Sequence, residues 1–109
     1  MTQEVLRAEE LPGDALNAAA AFHGEWLPRA WALLAGGADA LAIVLPCAAY
    51  DHSDWRRAAA RDLARAAALA RVNIVSGDEE HAVAATLAYL ERAPGVTGQY
   101  LRTAGDGTG

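Results

Sequence analysis

A short polar turn contains most of the side chains in this sequence that could perform chemistry. Cys47, Tyr50, Asp51 and His52 lie close together, and Asp54 follows them. A cysteine near a histidine can act as a nucleophile with its general base. In the alternative interpretation, the cysteine is a small buried residue and the turn caps the following helix. We favour the structural interpretation, because neighbouring positions in a sequence do not define side-chain geometry.

Further acidic and histidine residues follow the next predicted strand. The side chains that could converge on a divalent cation are Asp51, His52, Asp54, Asp78, Glu79 and His81. Carboxylates gather at helix N-termini for electrostatic reasons alone, so we predict no metal site. The candidate ligand-binding residues are Cys47, Tyr50, Asp51, His52 and Asp78. This turn is expected at the carboxyl end of a strand, where open α/β sheets usually bind ligands.

The polar turn lies between the two clearest predicted elements. Before it, residues 40–46 (ALAIVLP) form a continuous apolar run, typical of a strand buried on both faces of a parallel sheet. After it, a helix is predicted over residues 54–70. Val72, Ile74 and Val75 then form a second buried strand, which ends at Gly77.

The helix after the turn has two predicted faces. Arg57, Arg61 and Arg65 recur every four residues and form a solvent-exposed stripe. The apolar stripe predicted to pack on the sheet consists of Trp55, Ala59, Leu63, Ala66 and Ala70. Asp51 or Ser53 is expected to cap the start of this helix.

Weaker patterns complete the predicted fold. Residues 2–9 alternate as a short first strand, and a helical pattern covers 15–35, where Gly24 and Pro28 predict a kink or break. The last helix is predicted over 79–92, with Ser76 and Glu79 at capping-box spacing, and the last strand over 99–103. The order β-α-β-α-β-α-β predicts a small α/β half-Rossmann domain with about four mostly parallel strands and three main helices. We expect one domain over residues 1–105 and a flexible tail over 106–109.

The composition excludes several classes of function. The 109 residues include no lysine, which excludes a P-loop and a Schiff-base enzyme. The net charge of −5 argues against nucleic acid as a main partner, because phosphate binding requires concentrated cations. No apolar run approaches the ~20 residues of a membrane span, and no signal-peptide pattern is present. With a single cysteine, which suits a reducing compartment, we expect a cytoplasmic protein.

Two short segments are informative because of their order and spacing. They are RVN at 71–73 followed by Ser76-Gly77, and TGQ at 97–99 in the run APGVTGQ. The first resembles the RVN-x-x-x-PG segment of short-chain dehydrogenases/reductases, which follows the helix with the catalytic Tyr-x-x-x-Lys. The second is similar to the turn before the last strand of that family, and reductases of the pteridine and dihydromonapterin type end in this way. The similarity extends from about residue 54 to residue 105.

The catalytic residues of that family are missing from the matching positions. Tyr50 is the tyrosine nearest to the catalytic position, but Asp54 stands where the lysine is required. Ser76 replaces the proline before Gly77, and Cys47 stands near the place of the catalytic serine. No glycine-rich turn follows the first predicted strand, so the means of holding a pyrophosphate is absent. We therefore predict no cofactor and no oxidoreductase activity.

The resemblance implies a role in assembly. We expect a non-catalytic short-chain-reductase-like module that acts as a homodimer or as the partner of a full-length short-chain reductase. An open strand edge is expected to invite another chain unless residues 2–9 cover it. The candidate interface residues are Trp26, Trp31, Trp55, Tyr89 and Tyr100. The alternative is a small enzyme or ligand-binding protein, with a pterin- or nucleotide-like ligand, that uses the turn from Cys47 to Asp54.

Overall fold

The structure is a computed structural model that describes residues 3–103. In chain order its elements are β1 (Gln3–Arg7), α1 (Ala15–Ala21), a π-helical turn (Phe22–Trp26), α2 (Leu27–Ala35), β2 (Ala40–Leu45), a 3₁₀ turn (Tyr50–His52), α3 (Ser53–Ala66), β3 (Arg71–Ser76), α4 (Glu80–Glu91) and β4 (Tyr100–Arg102). The predicted order of strands and helices is confirmed. The predicted tail, 106–109, lies outside the described residues. None of the helices within 3–103 combines the length and the hydrophobicity needed to cross a bilayer.

The four strands form one parallel sheet in the order β1-β2-β3-β4. All six residues of β2 are buried, as expected for a central strand covered on both faces. Gln3 to Arg7 pair with Ala40 to Val44, so β1 covers the edge of β2 that would otherwise lie open. Within the described part of the chain, β1 has no partner on its other side. The open edges of the sheet within residues 3–103 are therefore those of β1 and β4.

The sheet separates two unequal hydrophobic clusters. On one face, α1, α2, α3 and the π-helical turn cover a larger cluster that includes the fully buried Phe22 and Ile43. On the other face, α4 packs on the sheet through Val83 and Leu90. A single helix leaves part of that face uncovered, and Val5 of β1 is 40% exposed.

The interruption predicted in the first long helix takes the form of a π-helical turn. The N–H of Leu27 donates to the carbonyl of Phe22, five residues earlier. Pro28 has no N–H, and in a regular α-helix its ring would clash with the carbonyl of Gly24. The wider turn accommodates the proline without ending the helix, so α2 begins directly at Leu27.

The caps predicted for α3 are wrong. The N-cap of α3 is His52, and no side chain forms a capping hydrogen bond. The 3₁₀ turn already satisfies a first free donor, because the N–H of Ser53 donates to the carbonyl of Tyr50. Asp51 lies inside this turn, so its carboxylate is not at a capping position.

The buried face of α3 also differs from the prediction. The buried residues of α3 are Ser53, Arg56, Ala59, Ala60 and Leu63. Of the predicted apolar stripe, Ala66 is exposed and Ala70 lies beyond the end of the helix. Arg57, Arg61 and Arg65 are exposed, as predicted.

Side chains outside α4 form hydrogen bonds with both of its ends. Glu79 is the N-cap, and its carboxylate accepts hydrogen bonds from two first-turn N–H groups at 2.9 and 3.1 Å. The predicted capping box is therefore wrong, since Ser76 is held in β3. At the other end, the guanidinium of Arg71 donates to the carbonyls of Leu90 and Ala93 at 3.0 and 3.1 Å. A cation at this end also complements the helix dipole.

Candidate functional site

A cleft of about 840 Å³ opens at the carboxyl ends of β1 and β2. The segment after β1, one side of the π-helical turn and the polar turn after β2 form its walls. Among its lining residues are Glu9, Glu10, Cys47, His52 and Arg56. Parallel α/β sheets commonly bind ligands at this end.

Cys47 and Asp78 are brought together, as expected for residues that follow neighbouring strands. The backbone N–H of Cys47 donates to the Asp78 carboxylate at 3.1 Å. The aspartate thereby ties the turn after β2 to the segment after β3. The contact involves the backbone of Cys47, whose side chain is half-buried. It is a structural contact and supplies no general base to the thiol.

His52 is 4% exposed, and its ring contacts the loop before α1 and the first turn of α3. Its Nε2 lies 3.0 Å from the carbonyl of Gly13, and its Nδ1 lies 3.3 Å from the indole nitrogen of Trp55. An indole N–H only donates, so Nδ1 is the acceptor and Nε2 carries the proton that binds Gly13. With both ring nitrogens occupied, His52 is not positioned as the general base of Cys47.

The other polar side chains of the turn do not converge with these two. Tyr50 is 79% exposed, and Asp51 and Asp54 also face solvent. Among residues 3–103, no three His, Cys, Asp or Glu side chains lie close enough to hold a metal ion. The described residues therefore do not bring three metal-ligating side chains together in this turn.

The sequence-based prediction missed Arg56, the largest fully buried side chain of the described residues. Arg56 is 1% exposed and lines the cleft from the first turn of α3. Its Nη1 donates to the carbonyl of Pro46 at 2.9 Å and to the hydroxyl of Ser76 at 3.1 Å. The Tyr100 hydroxyl lies 3.4 Å from the same nitrogen. The Nε of Arg56 has no hydrogen-bond partner within 3–103.

No carboxylate of the described residues neutralises Arg56, because the ion pairs found there are on the surface and involve other arginines. Instead, its guanidinium carbon lies 5.4 Å from the ring centre of Trp55 and 5.9 Å from that of Tyr100. Burying an ion costs on the order of several kcal/mol. Neutral acceptors and ring faces offset part of that cost.

The sequence contains a signal for this placement. Arg56, Ala59, Ala60 and Leu63 have the i, i+3, i+4, i+7 spacing of a buried helical face. Arg56 was assigned to neither predicted face of the helix, and arginine is seldom fully buried without a charged partner. Spacing alone identifies the buried face correctly.

The five candidate interface residues fall into two groups. Trp26, Trp55 and Tyr100 are half-buried and pack against the larger hydrophobic cluster. Trp31 on α2 and Tyr89 on α4 are 39% and 49% exposed. Of the five candidates, these two have the most exposed side chains.

The two informative sequence segments, RVN and TGQ, meet between β3 and β4. The Asn73 side chain accepts a hydrogen bond from the N–H of Gln99 and donates one to the carbonyl of Val96, both at 3.0 Å. The N–H of Gly98 donates to the carbonyl of Val72 at 2.7 Å. Gly98 has a φ of +73°, which favours glycine at this position. The two segments together fix the start of β4 beside β3.

Comparison with curated proteins gave no match, and comparison with solved structures gave none either. The sequence model of one protein family, described as "SDR-like: Short chain dehydrogenase-like protein", matches residues 6–103. The match extends from β1 to the end of β4 and includes both the RVN and TGQ segments. The chain therefore belongs to the short-chain dehydrogenase-like family.

Proposed function

We propose that this chain is a non-catalytic short-chain dehydrogenase-like module that acts in protein assembly as a homodimer. The observation that carries the proposal is an apolar surface at the amino ends of the strands, where α2 and α3 end. A groove of about 530 Å³ runs through it. This Trp31–Leu69 surface consists of Trp31, Leu34, Ala35, residues 37–39 and residues 66–70, and Asp39 is the one charged residue among the described residues that line the groove.

Leu69 is the most unusual residue of the Trp31–Leu69 surface. Its side chain is fully exposed and its φ is +84°. The N–H of Ala70 donates to the carbonyl of Ala67 at 2.8 Å, which closes a turn with Leu69 as its third residue. A positive φ at that place is typical of a type II turn, where glycine or asparagine is favoured. A left-handed leucine costs about 1–2 kcal/mol.

A second copy of the chain accounts for the exposure of Leu69, and burial of this side chain offsets the cost of its positive φ. Each copy has a protruding leucine beside a groove lined by Trp31 and Leu34. A two-fold axis through this surface places the Leu69 of each copy in the groove of the other. The exposed outer side of α2 adds uncharged residues, Pro28 and Ala32, toward the ~800 Å² per partner that a stable dimer buries.

The assembly is tested by light scattering at several protein concentrations. We expect a dimer mass at tens of micromolar. Leu69→Asp places a charge in the interface and is expected to give a monomer. Leu16→Asp is the matched control, because Leu16 is 81% exposed but lies on α1, away from this surface. Circular dichroism checks that both variants are folded.

Two results would contradict the homodimer. One is a wild-type monomer at tens of micromolar, and the other is a dimer that Leu69→Asp does not dissociate. A monomer that binds an added full-length short-chain reductase would replace the homodimer by a heteromer. A monomer that does not respond to the reductase would remove the assembly role.

The non-catalytic part of the proposal is supported by the residues at the matching positions. Asp54 stands in place of the lysine, Tyr50 faces solvent, and His52 is bonded to Gly13 and Trp55. We expect this 109-residue chain to show no saturable binding of NADPH. Titration followed by NADPH fluorescence measures it, and saturable micromolar binding would overturn this part.

A ligand-binding role is the second candidate, because assembly at the amino ends of the strands does not explain the buried Arg56 at the carboxyl ends. An enzymatic version of this role requires a reactive thiolate at Cys47. We expect slow alkylation of Cys47 by iodoacetamide in the folded protein at pH 6. Fast labelling would favour a catalytic cysteine, and a pterin- or nucleotide-like ligand stays a prediction.

A further inference from the structure

We propose that Arg56 binds the carboxylate of a small ligand in the cleft at the carboxyl ends of β1 and β2, and that this ligand also carries an amino group. The proposal is independent of the assembly role, because the Trp31–Leu69 surface lies at the opposite ends of the strands. It starts from a guanidinium that is 1% exposed, lines the cleft and has no carboxylate partner among residues 3–103.

The hydrogen bonds of Arg56 to the described residues leave its buried Nε without a partner. All of its hydrogen bonds to described residues come from Nη1, which faces Pro46, Ser76 and Tyr100. The Nε has no partner there. In arginine, Nε and Nη2 form a fork with two parallel N–H groups, which matches the two oxygens of a carboxylate. The contacts of Nη1 hold this fork in place before any ligand arrives, which favours binding.

The environment of Arg56 adds to its preference for an anion. Arg56 lies in the first turn of α3, where the helix dipole is positive. Its low exposure strengthens charge interactions relative to those in water. Both effects stabilise a carboxylate that enters the cleft.

The lining of the cleft also contains acidic residues. Glu9 and Glu10 follow β1, line the cleft, and form no ion pair with the described residues. Glu25 also lines the cleft but is paired with Arg29 at 3.3 Å. An inorganic phosphate would be repelled by the two free carboxylates, whereas an ammonium group would be attracted. A cleft of about 840 Å³ has room for both groups of a small zwitterion.

The test follows the Nε–H resonance of Arg56 by NMR in the unmodified, ¹⁵N-labelled protein. The probes are ω-amino acids of increasing length, from glycine to 6-aminohexanoate, with hexanoate, hexylamine and inorganic phosphate as controls. We expect a saturable shift of this resonance with one or more of the amino acids. Hexanoate and phosphate should bind at least about tenfold more weakly than the best amino acid, and hexylamine should not shift the resonance. These comparisons change the ligand only, so they do not depend on a variant that folds.

Variants then assign the binding to the proposed residues. Arg56→Gln removes the Nε–H resonance, so binding to the variants is followed through the backbone amide resonances of residues that line the cleft. Arg56→Gln is expected to weaken the best amino acid about 10- to 100-fold, the range for a hydrogen bond between charged groups. Arg57→Gln removes the exposed neighbouring arginine and should leave the affinity within about twofold. Glu9→Gln combined with Glu10→Gln should weaken the amino acid but not hexanoate.

Three results would overturn the proposal. They are no saturable shift with any acid probe, an equal response to hexylamine and to the acids, and equal effects of Arg56→Gln and Arg57→Gln. Equal affinity for hexanoate and the best amino acid would overturn the amino-group part. Tighter binding of phosphate would replace the carboxylate by another anion.

Discussion

The two ends of the sheet depart from the usual placement of side chains in opposite ways. At the carboxyl ends of the strands, the charged Arg56 is 1% exposed and has no ion pair with a described residue. At the amino ends, the apolar Leu69 is fully exposed on a strained backbone. Arginine is almost never fully buried unless paired, and large exposed apolar surfaces mark interaction sites. Each end therefore has an energetic cost, but of a different kind.

The two costs differ in how they can be reduced. The charge of Arg56 already has neutral partners, Pro46, Ser76 and two aromatic rings, so a small anion is enough to complete its environment. Leu69 is exposed over its whole side chain, and in the proposed homodimer a second copy of the chain covers it. We therefore propose a small polar ligand for the carboxyl end and a protein for the amino end.

The largest expected effect on stability is that of replacing Arg56. Arg56→Ala removes a fully buried side chain and leaves the Pro46 carbonyl and the Ser76 hydroxyl without their donor. We expect the free energy of unfolding to fall by about 3 kcal/mol. Arg57→Ala, on the exposed stripe, should change it by less than about 0.5 kcal/mol. Urea denaturation measures the free energy of unfolding of both variants. Equal losses would show that the buried Arg56 contributes no more to stability than the exposed Arg57.

The substitution Gly77→Ala tests how tightly the chain is packed at the carboxyl end of β3. A methyl group at Gly77 would overlap the side chain of Thr103, whose hydroxyl donates to the Ser76 carbonyl at 3.0 Å. Gly77→Ala is therefore expected to lower the free energy of unfolding by about 2 kcal/mol. Gly24→Ala is the control, because nothing lies within 4 Å of a methyl group there. Denaturation curves that show the same stability for both variants would indicate a loosely packed strand end.

Leu69→Asn tests the strain at the amino end. Asparagine adopts a positive φ more readily than leucine, so the monomer should gain about 0.5–1 kcal/mol in the free energy of unfolding. Leu16→Asn changes another exposed leucine on a regular helix and should not stabilise the protein. Both are measured by denaturation at a protein concentration low enough to avoid association. A less stable Leu69→Asn protein would show that leucine has a role within the monomer.

The smallest expected effect on stability is that of replacing Asp14 at the start of α1. Asp14 follows Gly13, whose carbonyl binds His52. The N–H of Asn17 donates to the Asp14 carboxylate at 2.9 Å, which lowers the pKa of Asp14 below its usual value of 3.8. A lowered folded pKa means that the ionised carboxylate stabilises the fold at neutral pH, and that this contribution is lost as pH falls through the folded pKa. Asp14→Asn should therefore lower the Tm slightly at pH 7 and less below pH 3.8. Thermal melts that show the same difference at both pH values would contradict this.

The strands could be predicted from the sequence because their signals are local. The apolar runs of β2 and β3 identify central strands without knowledge of their neighbours. The grouping of Cys47 with Asp78 could also be predicted from the sequence, because both residues come after neighbouring parallel strands. The turn at Leu69 was assigned to the helix before it, since alanine and leucine favour helices, but α3 ends at Ala66.

Side-chain partners at the candidate site could not be predicted in this way. His52 is bonded to Gly13, 39 positions away, and the Tyr100 hydroxyl near Arg56 is 44 positions away. Such partners follow only from the complete packing of helices on the sheet. Arg56 has the helical spacing of the buried face, but its residue type gives no sign of burial, because unpaired arginines are rarely fully buried.

The sheet order also has a consequence for how the chain folds. Since β1-β2-β3-β4 repeats the order along the chain, each new strand pairs with the strand made just before it. During synthesis, β1 and β2 can pair before β3 leaves the ribosome, and folding can proceed from the N-terminus by addition of one unit at a time. β4 has three residues, and its approach to β3 depends on the hydrogen bonds of Asn73 to Val96 and Gln99. These two bonds are therefore expected to close the sheet last.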